Sequence, residues 1–325
     1  MEFINETDAQ ARLFRTCLDE TGEVMTALLV ARATFVVGAR GLVPDRENAL
    51  PIFPEPLPTD FGELPADHVL GKRGCDLIAL GNAYPAGGRR AASATVRLQV
   101  GDFTRSLLVF GDRVWTRRGG HLVASEARPF ERMPLVWEHA YGGKARRGTA
   151  AIAHDDNVVG KGFYLEEDQA AGGPLPNIED PEARIEQWTD HPRPINLAPV
   201  SPTSRFAAEN FLDIAADGEV QYRGAAFNCA HPKLRVPALR GGEGVRLSGM
   251  TPGDPLAFVL PRGELAVAVA LEDRRYEFQT TLDTLYIFPE ERRVAITYRC
   301  HFTYRYVREE KRVTRLLRAA RTSAP

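Results

Sequence analysis

Apolar and polar residues alternate wherever the chain has a readable period. From Ala94 to Val100, Val96, Leu98 and Val100 fall on one face and Arg97 and Gln99 on the other, the period of a half-buried strand. The apolar run Ser106 to Phe110, the turn residues Gly111-Asp112 and the segment Arg113 to Thr116 predict a tight turn and a β-meander over 94–124. Glu23 to Val37 is a long apolar stretch rich in Val, Thr and Phe that ends at Gly38; its β-branched residues favour a strand, with a helix over Val24 to Ala31 as the alternative.

Strand-like runs return from Val245, through Leu256 to Leu260, Leu265 to Leu271, Arg275 to Thr280 and Thr284 to Phe288, to Val294 to Tyr306. Gly, Pro and Glu-Asp turns divide them, which predicts an antiparallel sheet. Between the two strand systems lie weaker patterns. Leu42 to Pro65 contains six prolines, which remove backbone donors and predict an extended surface loop. From Tyr141 to Asn228 the chain is dense in Gly, Pro, Asp and Asn, and Pro181 to Trp188 has a composition that suits a short helix. Val307 to Ala320 reads as a short basic helix with Val313, Leu316, Leu317 and Ala320 on one side.

The expected fold is therefore mainly β, with antiparallel sheets forming a β-sandwich or two packed β-rich lobes, a long loop-rich middle and a few short helices. Its parts are an N-terminal β-rich part (1–135), a loop-rich signature segment (136–230) and a C-terminal antiparallel part with the basic helix (231–325), read as one intertwined domain.

Composition narrows the class. The 325 residues are 44% hydrophobic and 26% charged, the balance of an ordinary globular protein. A net charge of -2 supplies no global attraction to nucleic acid. The start MEFINETDAQ lacks the basic and apolar regions of a secretory signal, and no apolar run reaches the roughly 18 residues of a spanning helix; a cytoplasmic location is expected. Cys17, Cys75, Cys229 and Cys300 lie far apart in strand-like settings and are read as reduced core residues.

Three segments carry unusual chemistry. Trp137-Glu138-His139-Ala140-Tyr141-Gly142-Gly143 joins two aromatics and two ionisable side chains to a glycine pair. His154 to Phe163 contains Asn157, Gly160 and Gly162 among turn-forming residues. In Leu175 to Pro181, Asn177, Glu179 and Asp180 precede a proline, a setting for a helix cap. Adjacent Glu138 and His139 would point to opposite faces of an extended segment, which disfavours an acid and base pair; a structural role, with His139 satisfied by a backbone carbonyl or Trp137 packed in the core, is expected instead. Cys229-Ala230-His231, His154-Asp155-Asp156 and Cys300-His301 lack the paired spacing of a metal site. No G-x-S-x-G elbow, P-loop or dinucleotide fingerprint is present.

With these residues in view the chain resembles the type VI secretion system effector adaptor/chaperone family, the domain of unknown function encoded beside VgrG spike and PAAR tip proteins. WEHAYGG at 137–143, NVVGKGF at 157–163 and LPNIEDP at 175–181 carry the resemblance. Phe227-Asn228, Leu234 to Arg240 with Gly241-Gly242, Leu247 to Met250 and Leu282 to Leu285 extend it. Pro194 to Ser201 departs from the family's loop, and Tyr298-Arg299 stands where the family tends to have Trp-Arg. The resemblance implies an adaptor without catalysis or cofactor, whose protein partners are a secreted effector, a PAAR-domain protein and the VgrG spike, with no nucleic acid and no membrane. Tyr84, Trp188 and Phe206 are candidate anchors in loop-like settings, and each could equally pack inward. A hydrolase acting on a polar polymer through Glu138, His139, Asp155, Asp156 and Glu179 is the alternative. Polyanion or carbohydrate binding has only Arg117-Arg118 and Arg146-Arg147 in support.

Overall fold

Val24–Gly38 is the longest strand and the spine of the fold. Its residues 26–32 are buried without a break, because strands flank it on both edges and other elements cover both of its faces. Gln10–Cys17 and Arg293–Arg305 pair with it antiparallel. The sheet continues through Thr281–Phe288, Cys75–Ala79 and Arg235–Val236, and Gly41–Pro44 adds to one end of the spine. Thr281–Phe288 and Cys75–Ala79 run parallel, so this large sheet is mixed. In this computed structural model the described residues are 1–17, 22–69, 71–202, 204–207, 212–214, 220–222, 227–262, 265–271, 274–307 and 312–318.

A second sheet orders Ile178–Glu179, Phe103–Phe110, Ser93–Val100, Gly244–Ser248 and Leu256–Val259, all antiparallel. The alternation over 94–100 appears there as expected: Ala94, Val96, Leu98 and Val100 are buried and the residues between them exposed. A third sheet joins the chain's two ends, with Glu2–Asn5 parallel to Arg312–Arg318 and then Leu265–Leu271 and Arg274–Gln279. Each of these three larger sheets takes strands from both the first and the last third of the chain, so the fold is mainly β and its parts interlock. One continuous core runs from Ala27 and Leu29 through Leu77, Val96 and Leu98 to Ile287 and Ile296.

Several expectations are corrected. The C-terminal strands do not form one antiparallel sheet; they divide among three. The basic helix over Val307 to Ala320 is absent where the chain is described: Arg312–Arg318 is a strand, with Arg312, Thr314 and Leu316 turned inward at period two. Its ladder to Leu265–Leu271 supplies hydrogen bonds that an isolated short helix would have to nucleate alone. Residues 308–311, 319 and 320 of that expectation lie outside the described residues.

Pro181 to Trp188 is not a helix either. The Asp180 side chain accepts the Glu182 N–H at 2.9 Å and the Asp180 carbonyl accepts the Ala183 N–H at 3.0 Å, a turn closed by a local side-chain bond. Gly111-Asp112 does not join neighbouring strands of one meander. The Gly111 N–H turns back to Ala92 O at 2.9 Å, and Trp115–Arg118 pairs with His121–Ala124 in a hairpin of its own. Within Leu42 to Pro65, part of Gly41–Pro44 and the small hairpin Leu57–Thr59 with Gly62–Leu64 form strands. Leu50, Phe53 and Leu64 there are buried, so the segment is not a surface loop throughout. Cys75, Cys229 and Cys300 are buried free thiols, whereas Cys17 is exposed.

Candidate functional site

The three signature segments, distant in sequence, meet in one place. Trp137–His139 is a single 3-10 turn, and Tyr141–Gly142 runs parallel to Lys161–Gly162 as a two-residue ladder. Ala140 bridges Ile178, and the Asn177 N–H donates to His139 O at 2.8 Å. With so short a ladder, side chains satisfy the remaining backbone groups. The Asn157 amide donates to Trp137 O at 2.7 Å and to Tyr141 O at 3.0 Å. The Asn177 amide donates to Phe110 O at 3.0 Å and to Asp112 Oδ1 at 3.2 Å. Gly142 sits at φ 141°, where a Cβ would collide with the Asn157 carbonyl, so the segments can approach this closely only through glycine. Gly143 donates to Asn157 O at 2.8 Å and accepts from the His154 N–H at 2.9 Å, and Gly160 lies against the Asn157 side chain.

The charged residues are mostly committed. Glu179 is buried and its Oε1 lies 2.5 Å from Arg113 Nη2, a guanidinium that also donates to Pro176 O at 2.9 Å and stacks over Phe110 at 4.0 Å. Asp180 takes Lys233 Nζ at 2.6 Å. Asp156 binds Arg193 through both carboxylate oxygens, each at 3.0 Å. The His139 Nδ1–H donates to Pro134 O at 3.1 Å. Burial, with Lys161 nearby, lowers the pKa of His139, so the ring is neutral at pH 7. Trp137 is buried and donates its indole N–H to Pro199 O at 2.6 Å. Each of the two alternative structural roles is present, while Glu138 is exposed.

Beside this junction opens a cleft of about 370 Å³, lined by His154, Asp155, Phe163, His191, Arg193 and Arg205 among others. The His154 ring meets Tyr141 and Phe163 edge-on, each at 5.2 Å, and the Tyr141 hydroxyl lies 2.6 Å from His191 Nδ1. Burial raises the tyrosine pKa and lowers that of His154, so both are uncharged at neutral pH. Of the five residues of the hydrolase alternative, Asp155 and Asp156 line this cleft, whereas Glu138, His139 and Glu179 do not. Val158 and Val159, two and three residues after the cleft residue Asp156, are 41% and 53% exposed, although Asn157 beside them is buried.

The candidate anchors part company. Phe206 is buried between Trp137 and His231, with ring centroids at 6.3 Å and 4.6 Å, and so takes the inward-packed alternative. Trp188 is half-buried against a small second cluster containing Trp115, Tyr141, Leu175 and Ile185. Tyr84, half-buried, donates to Glu290 at 2.8 Å; burial and this bond push its pKa up to about 12. The departing loop Pro194 to Ser201 threads the interior: residues 194–200 are buried, Leu197 O accepts the Ala79 N–H at 3.1 Å and the Val200 N–H donates to Cys229 O at 2.8 Å.

Arg113, His191, Arg193 and Lys233 were not singled out by sequence. A buried carboxylate requires a cation, which signals that partners exist without saying where in the chain they lie. Among the described residues no three His, Cys, Asp or Glu side chains converge as a metal centre would, and no helix is long and apolar enough to cross a membrane. No curated protein and no solved structure matches the chain. A family model described as "Uncharacterized protein conserved in bacteria (DUF2169)" matches residues 22–299, a span that takes in all three signature segments, the cleft and most of the large sheet; the chain belongs to that family.

Proposed function

We propose that this protein is a non-catalytic adaptor that holds a protein partner through the exposed valines of the signature platform. Following the resemblance carried by its three segments, the partner is a type VI secretion effector or its PAAR-bearing portion, held in the bacterial cytoplasm for loading onto the VgrG spike. The observation that carries this reading is the exposure of Val158 and Val159 on a turn anchored by buried Asn157. Exposed apolar residues on a turn held by buried hydrogen bonds have the composition of a contact surface. The carboxylates Glu179, Asp180 and Asp156 are each held by a cation, an arrangement suited to stiffening loops.

Co-purification of the tagged chain with the effector and VgrG encoded beside it tests the proposal. Val158→Asp with Val159→Asp should abolish the complex while leaving the thermal unfolding midpoint within a few degrees, because exposed substitutions change stability little. Undiminished recovery of the partner by that double variant, or no recovery of any neighbour by the native chain, would sink it.

A further inference from the structure

Away from the signature loops, residues of the spine strand and of the sheet joining the chain ends line a second recess. The last paired residues of that sheet, Leu265 and Arg318, line this cavity of about 550 Å³, the size of a small-ligand site. Ala33 and Phe35 of the spine, with Tyr298, Pro44, Pro261 and Leu265, give it apolar walls. The charges around it are unevenly matched. Asp8 is clamped by Arg46 at 2.8 Å and by Arg318 at 2.6 Å, one guanidinium on each oxygen. Arg32, which also lines it, is paired with Asp67, and Asp45 accepts the Asn48 N–H at 3.0 Å in a local turn. Arg262 has neither an ion pair nor a hydrogen bond among the described residues. Tyr298 is 8% exposed, and its hydroxyl likewise has no hydrogen-bond partner among them; burial and the nearby Cys75 push its pKa up to about 12, so it keeps its proton.

The position of Arg262 is built. Gly242, at φ 92°, donates its N–H to Leu260 O at 2.9 Å, and a Cβ there would lie 2.6 Å from Arg262 Nε. The glycine thus lets the guanidinium stem lie along the backbone at the cavity mouth, which gives Gly241-Gly242 a role that the signature platform does not use.

We propose that this cavity binds a monoanionic amphiphile, a carboxylate on an apolar body, held by the Arg262 guanidinium and the Tyr298 hydroxyl. An unmatched guanidinium in a partly apolar setting favours a carboxylate, and Asp45 on the same wall disfavours a dianion or polyphosphate. Small amphiphiles and the C-terminal residue of a peptide share this chemistry. The site is independent of the adaptor reading, and its test uses no secretion component.

Calorimetric titration of the full chain with octanoate, octanamide, and an acetylated tetrapeptide ending in leucine, as free acid and as amide, separates the sources. At least one carboxylate should bind, about tenfold or more tightly than its amide. Octanoate alone binding points to a small molecule, and the free-acid peptide alone to a chain terminus; either supports the site. Arg262→Gln should weaken binding about tenfold. Ala49→Phe, which fills the cavity from a loop, should abolish it, and Tyr298→Phe should have a smaller effect than Arg262→Gln. Circular dichroism melts check each fold, and Arg262, being exposed, keeps the test valid if the filled variant unfolds. Absence of binding by both carboxylates, or unchanged binding in Arg262→Gln, would overturn the proposal.

Discussion

In the interior of the large sheet, the Asp76 carboxylate meets Lys72 Nζ at 2.9 Å, the Cys229 N–H at 2.9 Å and the Asn228 amide at 2.9 Å. Lys72 also donates to Thr284 Oγ1 at 2.8 Å, and the two charged side chains are 3% and 0% exposed. In the signature loops, Asp156 and Asp180 are as well buried, but their cations, Arg193 and Lys233, are 50% and 40% exposed. Sheet pairing holds its charged residues in a dry interior, where each partner is the other's main compensation. Burial alone would raise the Asp76 pKa, but Lys72 with the two hydrogen-bond donors holds it below its ordinary value. Burial alone would likewise lower that of Lys72, and Asp76 foremost keeps it raised. These two loop pairs keep one end in water, where solvent can replace the partner, whereas Glu179 and Arg113 in the same segments are 1% and 7% exposed and share the enclosure of the sheet pair. Buried charge is thus brittle at Asp76 in the sheet and forgiving at Asp156 and Asp180 in the loops.

That contrast is broken or sharpened most directly by Asp76→Ala. Leaving Lys72 buried without its counter-ion should cost about 3–5 kcal/mol in urea unfolding, whereas a loss below ~1 kcal/mol would mean that the interior is wetter than its packing implies. Next comes Gly142→Ala, which tests whether close backbone approach does for the loops what ladders do for the sheet. Its forced contact with the Asn157 carbonyl should cost on the order of 3 kcal/mol, read from the same unfolding curves.

Smaller is the effect of His231, which joins the two regions: it packs on Phe206 and accepts the Lys233 N–H at Nδ1. Burial, with Arg193, Arg235 and Lys233 nearby and Asp180 opposing, lowers its pKa to about 3. The unfolded chain binds a proton below about pH 6.5 that the folded chain refuses, so this stability is complete above that pH and lost as pH falls toward 3. Between pH 7.5 and 5 the native protein should lose about 2 kcal/mol more than His231→Asn, whose amide can still cap Lys233; equal slopes would show a histidine that takes up its proton when folded. Smallest is Lys233→Met, expected to cost about 1 kcal/mol because its ammonium is partly solvated. If it matched Asp76→Ala in the same titration, the distinction between the two regions would fail.

Legibility followed the range of the interactions. The alternation of Ala94 to Val100 and the β-branched run ending at Gly38 report local preferences, and both are strands. Arg312–Arg318 misled because RVTRLLR satisfies two periods: Val313, Leu316 and Leu317 share a helical face, whereas Arg312, Thr314 and Leu316 share a strand face. The strand wins because Leu265–Leu271 is there to pair with it. In the site, the glycines and asparagines of the signature segments stood out by type. Their partners did not, since Arg113, Lys233 and Arg193 lie 66, 53 and 37 residues from the carboxylates that they bind.

By itself, the sequence determined that this is a strand-built protein with a turn-dense middle, and it marked three segments where glycine and asparagine must handle the backbone. Such properties are local: side-chain period, β-branching and φ freedom act within a few residues. Only the tertiary structure decided that the chain's two ends share a sheet, that Pro194 to Val200 runs through the core, that the three segments close on one another, and that Arg262 is left unmatched beside an apolar cavity. Those outcomes depend on which distant strands pair and which cation reaches which carboxylate, and a local pattern is compatible with many such pairings until the whole core packs.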